Sequence, residues 1–154
     1  MRERLSAIWA RLTAGQQRFV RFGVVGASGV IVNLAFMALG LWAFGDLDSG
    51  VRDSLGSALG IGVSVLSNFV LNDAWTWGDR AKGGRKRDWL LRLTAYGVGS
   101  GVGAGLQFAT SFGLRTALSL HVYLAQILGI LLGMVMNFFI SNRVVFRDKA
   151  PTTE

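Results

Sequence analysis

Four stretches without a charged residue limit what this chain can fold into more than any other feature. They cover residues 22–45, 54–72, 93–114 and 116–142. Each can hold a helix of about 20 residues, the length that crosses about 30 Å of hydrocarbon. The runs are continuously apolar instead of alternating, which excludes the strands of a membrane-embedded barrel. We therefore predict an all-α, polytopic membrane protein with four transmembrane helices, at about 22–45, 54–72, 93–114 and 122–141.

The basic residues predict the orientation of these spans. Fourteen of the 16 Lys and Arg residues lie before the first span, between the second and third, or after the fourth. Only Arg52 and Arg115 lie in the other two loops. Because Lys and Arg are enriched on the cytoplasmic side, we expect a cytoplasmic N-terminus, middle loop and C-terminus. The net charge of +7 then follows from topology and from attraction to anionic head groups, without a nucleic acid partner.

Three regions follow along the chain. Residues 1–21 carry Leu5, Ile8, Trp9, Leu12 and Phe19 at roughly helical spacing, which predicts an amphipathic segment in the cytoplasmic interface. Residues 22–146 form the membrane domain. Residues 147–154 contain the single proline and form a polar tail.

The two halves of the sequence resemble each other. "FVRFGVVG" (19–26) aligns with "LLRLTAYG" (90–97), which places Arg21 on Arg92. "SNFVLNDAWTW" ends the second span and "MNFFISNRVVF" ends the fourth, which places Asn68 on Asn137. Since each half crosses the membrane twice, the halves share one orientation. This predicts two parallel two-helix repeats, related by a pseudo-symmetry axis along the membrane normal.

The repeated polar residues gather at the cytoplasmic ends of the spans. Asn68 and Asn137 lie about one helical turn, or roughly 5 Å, inside the boundary. A buried amide needs a hydrogen bond, so these amides should face the bundle. They either join helix to helix or, with guanidinium groups, form a pocket for a lipid phosphate. The candidate lipid-phosphate or substrate-binding residues are Arg21, Asn68, Asn72, Arg92, Asn137, Asn142 and Arg143.

The middle loop, "RAKGGRKR", offers a second kind of site. A basic patch beside membrane spans contacts lipid head groups or a partner protein more often than RNA. The candidate residues for this contact are Arg85, Lys86 and Arg87.

The aromatic and glycine residues are expected to be structural. Rings at membrane boundaries anchor at head-group level, and this is the role predicted for Trp75, Trp77, Trp89 and Phe146. "GVGSGVGAG" contains a formal dinucleotide-binding pattern, but no strand precedes it and it lies inside an apolar run. Glycines four residues apart permit close helix packing instead. They are Gly56 and Gly60, Gly97, Gly101 and Gly105, and Gly129 and Gly133.

Catalysis has no evident residues to perform it. The chain has no cysteine, its carboxylates lie outside the spans or at their ends, and no serine, histidine and acid share a plausible depth. We therefore predict no catalytic residue, no metal site, no cofactor and no enzyme activity.

The quoted motifs carry a family resemblance. The segment "RFGVVGASG" and the endings "NFVLNDAWTW" and "NFFISNRVVF" resemble the GtrA-like family, from Phe19 to Phe146. The resemblance implies a role in moving polyprenyl-phosphate-linked sugars across the bacterial cytoplasmic membrane, or in assisting the glycosyltransferase that makes them. Asp73 and Asn142 stand where an arginine commonly follows the polar residue. This departure leaves Arg143 as the clearest basic candidate.

Taken with these observations, the resemblance implies a flippase in the inner, cytoplasmic membrane. It would translocate a polyprenyl-phosphate-linked monosaccharide for cell-surface polysaccharide or glycolipid synthesis. One alternative is an adaptor that anchors a polyprenyl-phosphate glycosyltransferase and transports nothing. Another is a small-molecule/proton antiporter, which would need a membrane-embedded acid that the sequence lacks. The expected partners are the lipid-linked sugar, membrane lipid, a polyprenyl-phosphate glycosyltransferase and, as an open alternative, further copies of the chain in a homo-oligomer.

Overall fold

The computed structural model describes Ser6 and residues 9–81 and 85–147. These residues contain no strand, so the prediction of an all-α fold is confirmed. The bounds of the elements are α1 (Ala14–Ala43), α2 (Ser49–Leu71), a first π turn (Asn72–Thr76), α3 (Gly78–Ala81), α4 (Lys86–Leu118), α5 (Val122–Ile140) and a second π turn (Ser141–Val145).

Helix α1 begins earlier than the first predicted span. The Gln16 amide donates to the Thr13 hydroxyl at 3.3 Å, and the Thr13 amide donates to the Gln16 side-chain oxygen at 2.8 Å. This capping box satisfies two amides at the helix start. The helix therefore begins within the segment predicted to be interfacial, of which residues 1–5, 7 and 8 lie outside the described residues. Residues 148–154 of the predicted tail also lie outside them.

In the part of the chain that the structure describes, three helices are long and apolar enough to cross a membrane: Ala14–Ala43, Ser49–Thr76 and Ile127–Val145. A polytopic membrane protein is thereby confirmed. The predicted span at 93–114 falls within α4, which is not among the three because glycine, serine, threonine and glutamine dilute its apolar residues. With 33 residues, α4 is nevertheless about 50 Å long, which exceeds the membrane thickness. Four spans remain a prediction.

The chain divides into unit 1 (Met1–Gly78) and unit 2 (Asp79–Glu154). In each unit two long helices pack as a hairpin, α1 with α2 and α4 with α5. Glycines bring the backbones together: a Cβ on Gly60 would lie 2.6 Å from the Asn33 carbonyl oxygen, and one on Gly129 would lie 2.6 Å from that of Gln107. These separations are too short for any side chain. The prediction of close glycine packing is therefore confirmed for these helices.

The same prediction is wrong for α4. Apart from the neighbouring backbone of α4 itself, no described atom lies within 4 Å of a Cβ placed on Gly97, Gly101 or Gly105. The contacts to α5 are made instead by Gly99, which meets Ile140, and by Gly103, which meets Asn137. From Gly97 to Gly105 every second residue is a glycine. Pairs of glycines four residues apart therefore occur on two different faces of α4, and the sequence does not indicate which face packs against α5.

Contacts between the helices define how the two units correspond. Gly29 of α1 lies directly against the Asn68 side chain, and Gly103 of α4 lies directly against that of Asn137. Gly103 is therefore the counterpart of Gly29.

This correspondence corrects the sequence alignment of the first helices. With Gly103 on Gly29, Arg92 falls on Arg18, and it does not fall on Arg21. The difference of three residues is less than one helical turn and rotates a side chain by only about 60° around the axis. An apolar pattern tolerates such a shift, and one shared arginine and one shared glycine favoured the wrong register.

Candidate functional site

Five of the seven candidate lipid-phosphate residues lie where the second helix of each unit ends, and there the helix changes from α to π. The Trp77 amide donates to the Asn72 carbonyl at 2.9 Å, and the Phe146 amide donates to the Ser141 carbonyl at 2.8 Å. These bonds span five residues instead of four. Single π turns of this kind often occur at functional sites.

The π turn explains the aromatic residue that closes each repeated motif. In an unbroken α-helix Trp77, eight residues after Phe69, would point about 80° away from it. The π turn accommodates one extra residue, which returns Trp77 to within about 20° of the Phe69 direction. Both side chains are fully buried. The same arithmetic applies to Phe146 and Phe138, which are also buried.

The prediction that Trp77 and Phe146 anchor at the membrane surface is therefore wrong. Trp77 is 0% exposed and Phe146 is 2% exposed. The Trp77 ring packs edge-on against Phe22 of α1, with centroids 5.8 Å apart and an interplanar angle of 67°. By contrast, Trp75 is 47% exposed, as an anchoring residue would be. The repeated motif has the composition of a membrane-interface anchor, but its last aromatic residue is buried and packs the end of the helix.

The two repeated amides have the same environment in both units. The Asn68 side chain lies against Gly29, and the Asn137 side chain lies against Gly103. The side-chain oxygen of each is buried, and neither accepts a hydrogen bond from any described residue. A buried acceptor without a donor costs about 1 to 3 kcal/mol. The same unfavourable burial occurs at corresponding positions of both units, so packing energy alone does not account for it.

Asn72 is not accessible in unit 1. Its side chain is fully buried, and its oxygen accepts a hydrogen bond from the Thr76 hydroxyl at 2.7 Å. It stabilises the first π turn from within, which does not suit a group that would contact a lipid head group.

Arg21 is the predicted residue with the most distinctive surroundings. Its Nη1 donates to the Trp75 carbonyl at 3.2 Å. Its guanidinium carbon lies 5.5 Å from the centre of the Trp9 ring and 5.7 Å from that of Trp75. Both distances suit cation–π attraction. Its Nε is buried and donates to no described residue. One N–H donor of this cation is therefore buried without a partner among the described residues.

In unit 2 the polar contacts centre on Arg80, which sequence analysis did not select. Its Nη1 donates to the Asn142 carbonyl at 3.2 Å, to the Asn142 side-chain oxygen at 2.9 Å and to the Phe146 carbonyl at 3.1 Å. Carbonyls at a helix end lack partners within the helix, and a cation there is favourable. The sequence does place Arg80 just after the first repeated motif, which could have marked it as a candidate. Its partners, however, lie more than sixty positions further along the chain.

The remaining candidates of unit 2 lie apart from one another. Arg143 is exposed, with its guanidinium 5.4 Å from the centre of the Phe139 ring, whereas the Asn137 amide faces α4. Arg92 is half-buried on α4. The structure therefore does not bring Asn137 and Arg143 into one pocket.

The basic patch at the start of α4 is open to solvent. Arg85, Lys86 and Arg87 are exposed, and the Arg85 amide donates to the Asp88 carboxylate at 3.0 Å as the helix begins. Positive side chains at this helix start are free to contact a surface of opposite charge.

Comparison with known proteins agrees with this arrangement. The transmembrane domain described as GtrA/DPMS matches residues 21–151. The chain belongs to this family.

A curated relative extends the comparison. The chain is 30% identical over 129 residues to a protein named dolichol-phosphate mannosyltransferase from Pyrococcus furiosus. The similarity covers 84% of this chain but only 34% of that protein. The chain thus spans about a third of the length of this relative.

Proposed function

We propose that this protein translocates a polyprenyl-phosphate-linked monosaccharide across the cytoplasmic membrane, for cell-surface polysaccharide or glycolipid synthesis. It acts as a carrier and has no catalytic activity of its own. The observation that carries the proposal is the similarity of most of the chain to part of a protein whose name joins dolichol phosphate with a mannosyl group.

The obstacle to such transport is electrostatic. A phosphate and a sugar cannot pass through hydrocarbon without large desolvation costs. Polar groups inside a helical protein lower this cost while the polyprenyl tail remains in lipid. Exposed Arg143 supports this role as a donor for phosphate. The Arg21 Nε and the side-chain oxygens of Asn68 and Asn137 are buried without a partner among the described residues, and they would pair with phosphate and sugar hydroxyls in a state in which the helices have separated.

We propose that the N-terminus, the middle loop and the C-terminus face the cytoplasm and that α4 is the fourth span. The basic residues support this orientation. The packing of α4 against α5 from Gly99 to Gln107 supports a span, since a helix paired with a membrane helix over that length shares its environment.

The alternative function is an adaptor for a glycosyltransferase. The relative is about three times as long as the part that matches, and it is named as a transferase. In that protein the matched domain therefore belongs to a longer chain that is named as an enzyme. Exposed Arg85, Lys86 and Arg87 would form the contact with a separate enzyme. This alternative predicts no transport by the isolated chain.

Reconstitution without any transferase separates the two functions. Vesicles would contain the purified chain and polyprenyl-phosphate mannose in both leaflets, and an external, membrane-impermeant oxidant would consume the exposed sugar. Without transport, only the outer-leaflet half is consumed. With transport, the inner half follows, and Arg143→Ala should slow it about tenfold, because it removes a charge-assisted contact to the phosphate.

Arg87→Ala is the matched control. Like Arg143→Ala, it removes a basic residue from the proposed cytoplasmic side. Arg87, however, belongs to the patch assigned to a partner protein, so the rate of sugar consumption should not change. Folded wild-type protein that leaves the inner half protected would overturn the carrier proposal and favour the adaptor. The adaptor would then require that neutralising Arg85, Lys86 and Arg87 together releases the transferase from membranes.

A further inference from the structure

A cavity of about 400 Å³ lies at the C-terminal end of α4, within unit 2. It is lined by Phe112, Arg115, Thr116, Ser119 and Leu120. From Gly103, where Asn137 packs, to Arg115 the helix rises about 18 Å. The cavity is therefore at the opposite end of the hairpin from the second π turn and Arg80.

The cation in this cavity is not neutralised by its surroundings. Arg115 is exposed, and its guanidinium forms no hydrogen bond or ion pair with another described residue. Arg52, the basic residue of the other non-cytoplasmic loop, contrasts with it, because its Nε lies 3.1 Å from the Asp53 carboxylate. Arg115 thus retains all five of its donors for an external anion.

Two hydroxyls beside Arg115 are suited to sugar recognition. Thr116 Oγ1 donates its hydrogen to the Phe112 carbonyl at 2.9 Å, which leaves its lone pairs to accept from a ligand hydroxyl. Ser119 adopts a left-handed conformation with φ of 51°. Its amide and that of Leu120 both donate to the Leu114 carbonyl, so the backbone is satisfied and the Ser119 hydroxyl is available.

An aromatic wall completes the cavity. The Phe112 ring stacks on Phe108, with centroids 6.2 Å apart and an interplanar angle of 15°. Phe112 is 57% exposed, so its ring presents an apolar face. A cation, two hydroxyls and an aromatic face around one cavity are the features that a small polar ligand requires for orientation and contact.

Unit 1 lacks these groups at the corresponding positions. Where unit 2 has Arg115, Thr116, Ser119 and Leu120, unit 1 has Leu41, Trp42, Gly45 and Asp46. An aspartate there would repel a phosphate. The cavity is therefore particular to unit 2, although the helices of the two units pack alike.

We propose that this cavity binds the sugar-phosphate head group of a lipid in the leaflet opposite the cytoplasm. Arg115 contacts the phosphate, Thr116 and Ser119 contact sugar hydroxyls, and Phe112 packs against the sugar ring. The lipid tail extends into the bilayer. The identity of the ligand rests on the proposed function, whereas the existence of a phosphate-binding cavity rests on the residues that line it.

Local thiol protection tests the proposal, since the native chain has no cysteine. The full chain with Leu120→Cys, a lining position without an assigned polar contact, would be purified in detergent and treated with a soluble maleimide while polyprenyl-phosphate mannose is added. The ligand should slow alkylation several-fold. Adding Arg115→Ala should raise the concentration for half protection about tenfold, because it removes a charge-assisted contact.

Asp46→Cys is the matched control, because this position in unit 1 corresponds to Leu120 beside the cavity. It should not be protected. No protection at Leu120→Cys, no effect of Arg115→Ala, or equal protection by phosphatidylglycerol would each overturn the proposal, the last by indicating a general anionic-lipid contact. Circular dichroism would confirm that each variant is folded.

The outcome is separable from that of the proposed function. Protection without sugar consumption in vesicles would leave the cavity proposal standing and overturn translocation. Consumption without protection would do the reverse.

Discussion

The two units solve the same packing problem in the same way. Each places a glycine of its first helix under an asparagine of its second, at Gly29 with Asn68 and at Gly103 with Asn137. Each then ends its second helix in a π turn followed by a buried aromatic residue. These shared features keep two helices close over their length.

The polar groups at the helix ends differ between the units. In unit 1 the carbonyl at the π turn is bound by Arg21 from the first helix. In unit 2 Arg80, which precedes the hairpin, binds other carbonyls, those of Asn142 in the π turn and of Phe146 just after it. Unit 2 also has exposed Arg143 where unit 1 has Ala74. The comparison indicates that packing maintains the repeat, whereas the positions that can reach a ligand have diverged, so any binding site is asymmetric.

The largest expected effect concerns topology, and it would break the comparison outright. If α4 spans the membrane as α1 does, cysteines introduced at Lys86 and Ser119 should be labelled from opposite sides of intact cells. Ser49→Cys should be labelled from the same side as Ser119→Cys. Membrane-impermeant and permeant maleimides distinguish the two sides. Labelling of Lys86→Cys and Ser119→Cys from one side would mean that the units do not cross the membrane alike.

The second prediction tests the shared aromatic residue. Trp77→Ala and Phe146→Ala should each lower the free energy of unfolding by about 3 kcal/mol, because each leaves a cavity in well-packed surroundings. Trp75→Ala, at an exposed position, should lower it by less than about 1 kcal/mol. Denaturation in detergent followed by circular dichroism measures all three. If Trp77→Ala lowered the free energy of unfolding and Phe146→Ala did not, the two π turns would share their geometry but contribute differently to stability.

The smallest expected effect sharpens the difference between the units. Arg80→Ala removes a donor from three acceptors and should lower the free energy of unfolding by about 1 to 2 kcal/mol. Arg143→Ala loses only an exposed cation–π contact and should cost no more than about 1 kcal/mol. The rate of transport per folded molecule should fall more for Arg143→Ala than for Arg80→Ala. A stability loss for Arg143→Ala that exceeds that for Arg80→Ala would contradict these assignments.

The sequence predicts the helices and the repeat because apolar runs and repeated motifs are local signals. It does not predict the register of the first helices, since a shift of three residues preserves an apolar face. It does not predict the π turns either, because one extra residue in a helix leaves no compositional trace. Arg80 was missed because its partners Asn142 and Phe146 lie far along the chain, and which glycine face of α4 packs depends on α5.

The contact of asparagine with glycine bears on how the chain is made. A newly synthesised α2 that entered the bilayer alone would expose the Asn68 amide to hydrocarbon, at a cost of several kcal/mol. Because α1 precedes α2 in the chain, Gly29 leaves the ribosome before the amide that it receives. Gly103 likewise precedes Asn137. In unit 1 the glycine surface is therefore already made when the polar residue follows, which favours insertion of α1 and α2 as a pair. The same holds for unit 2 if α4 spans the membrane.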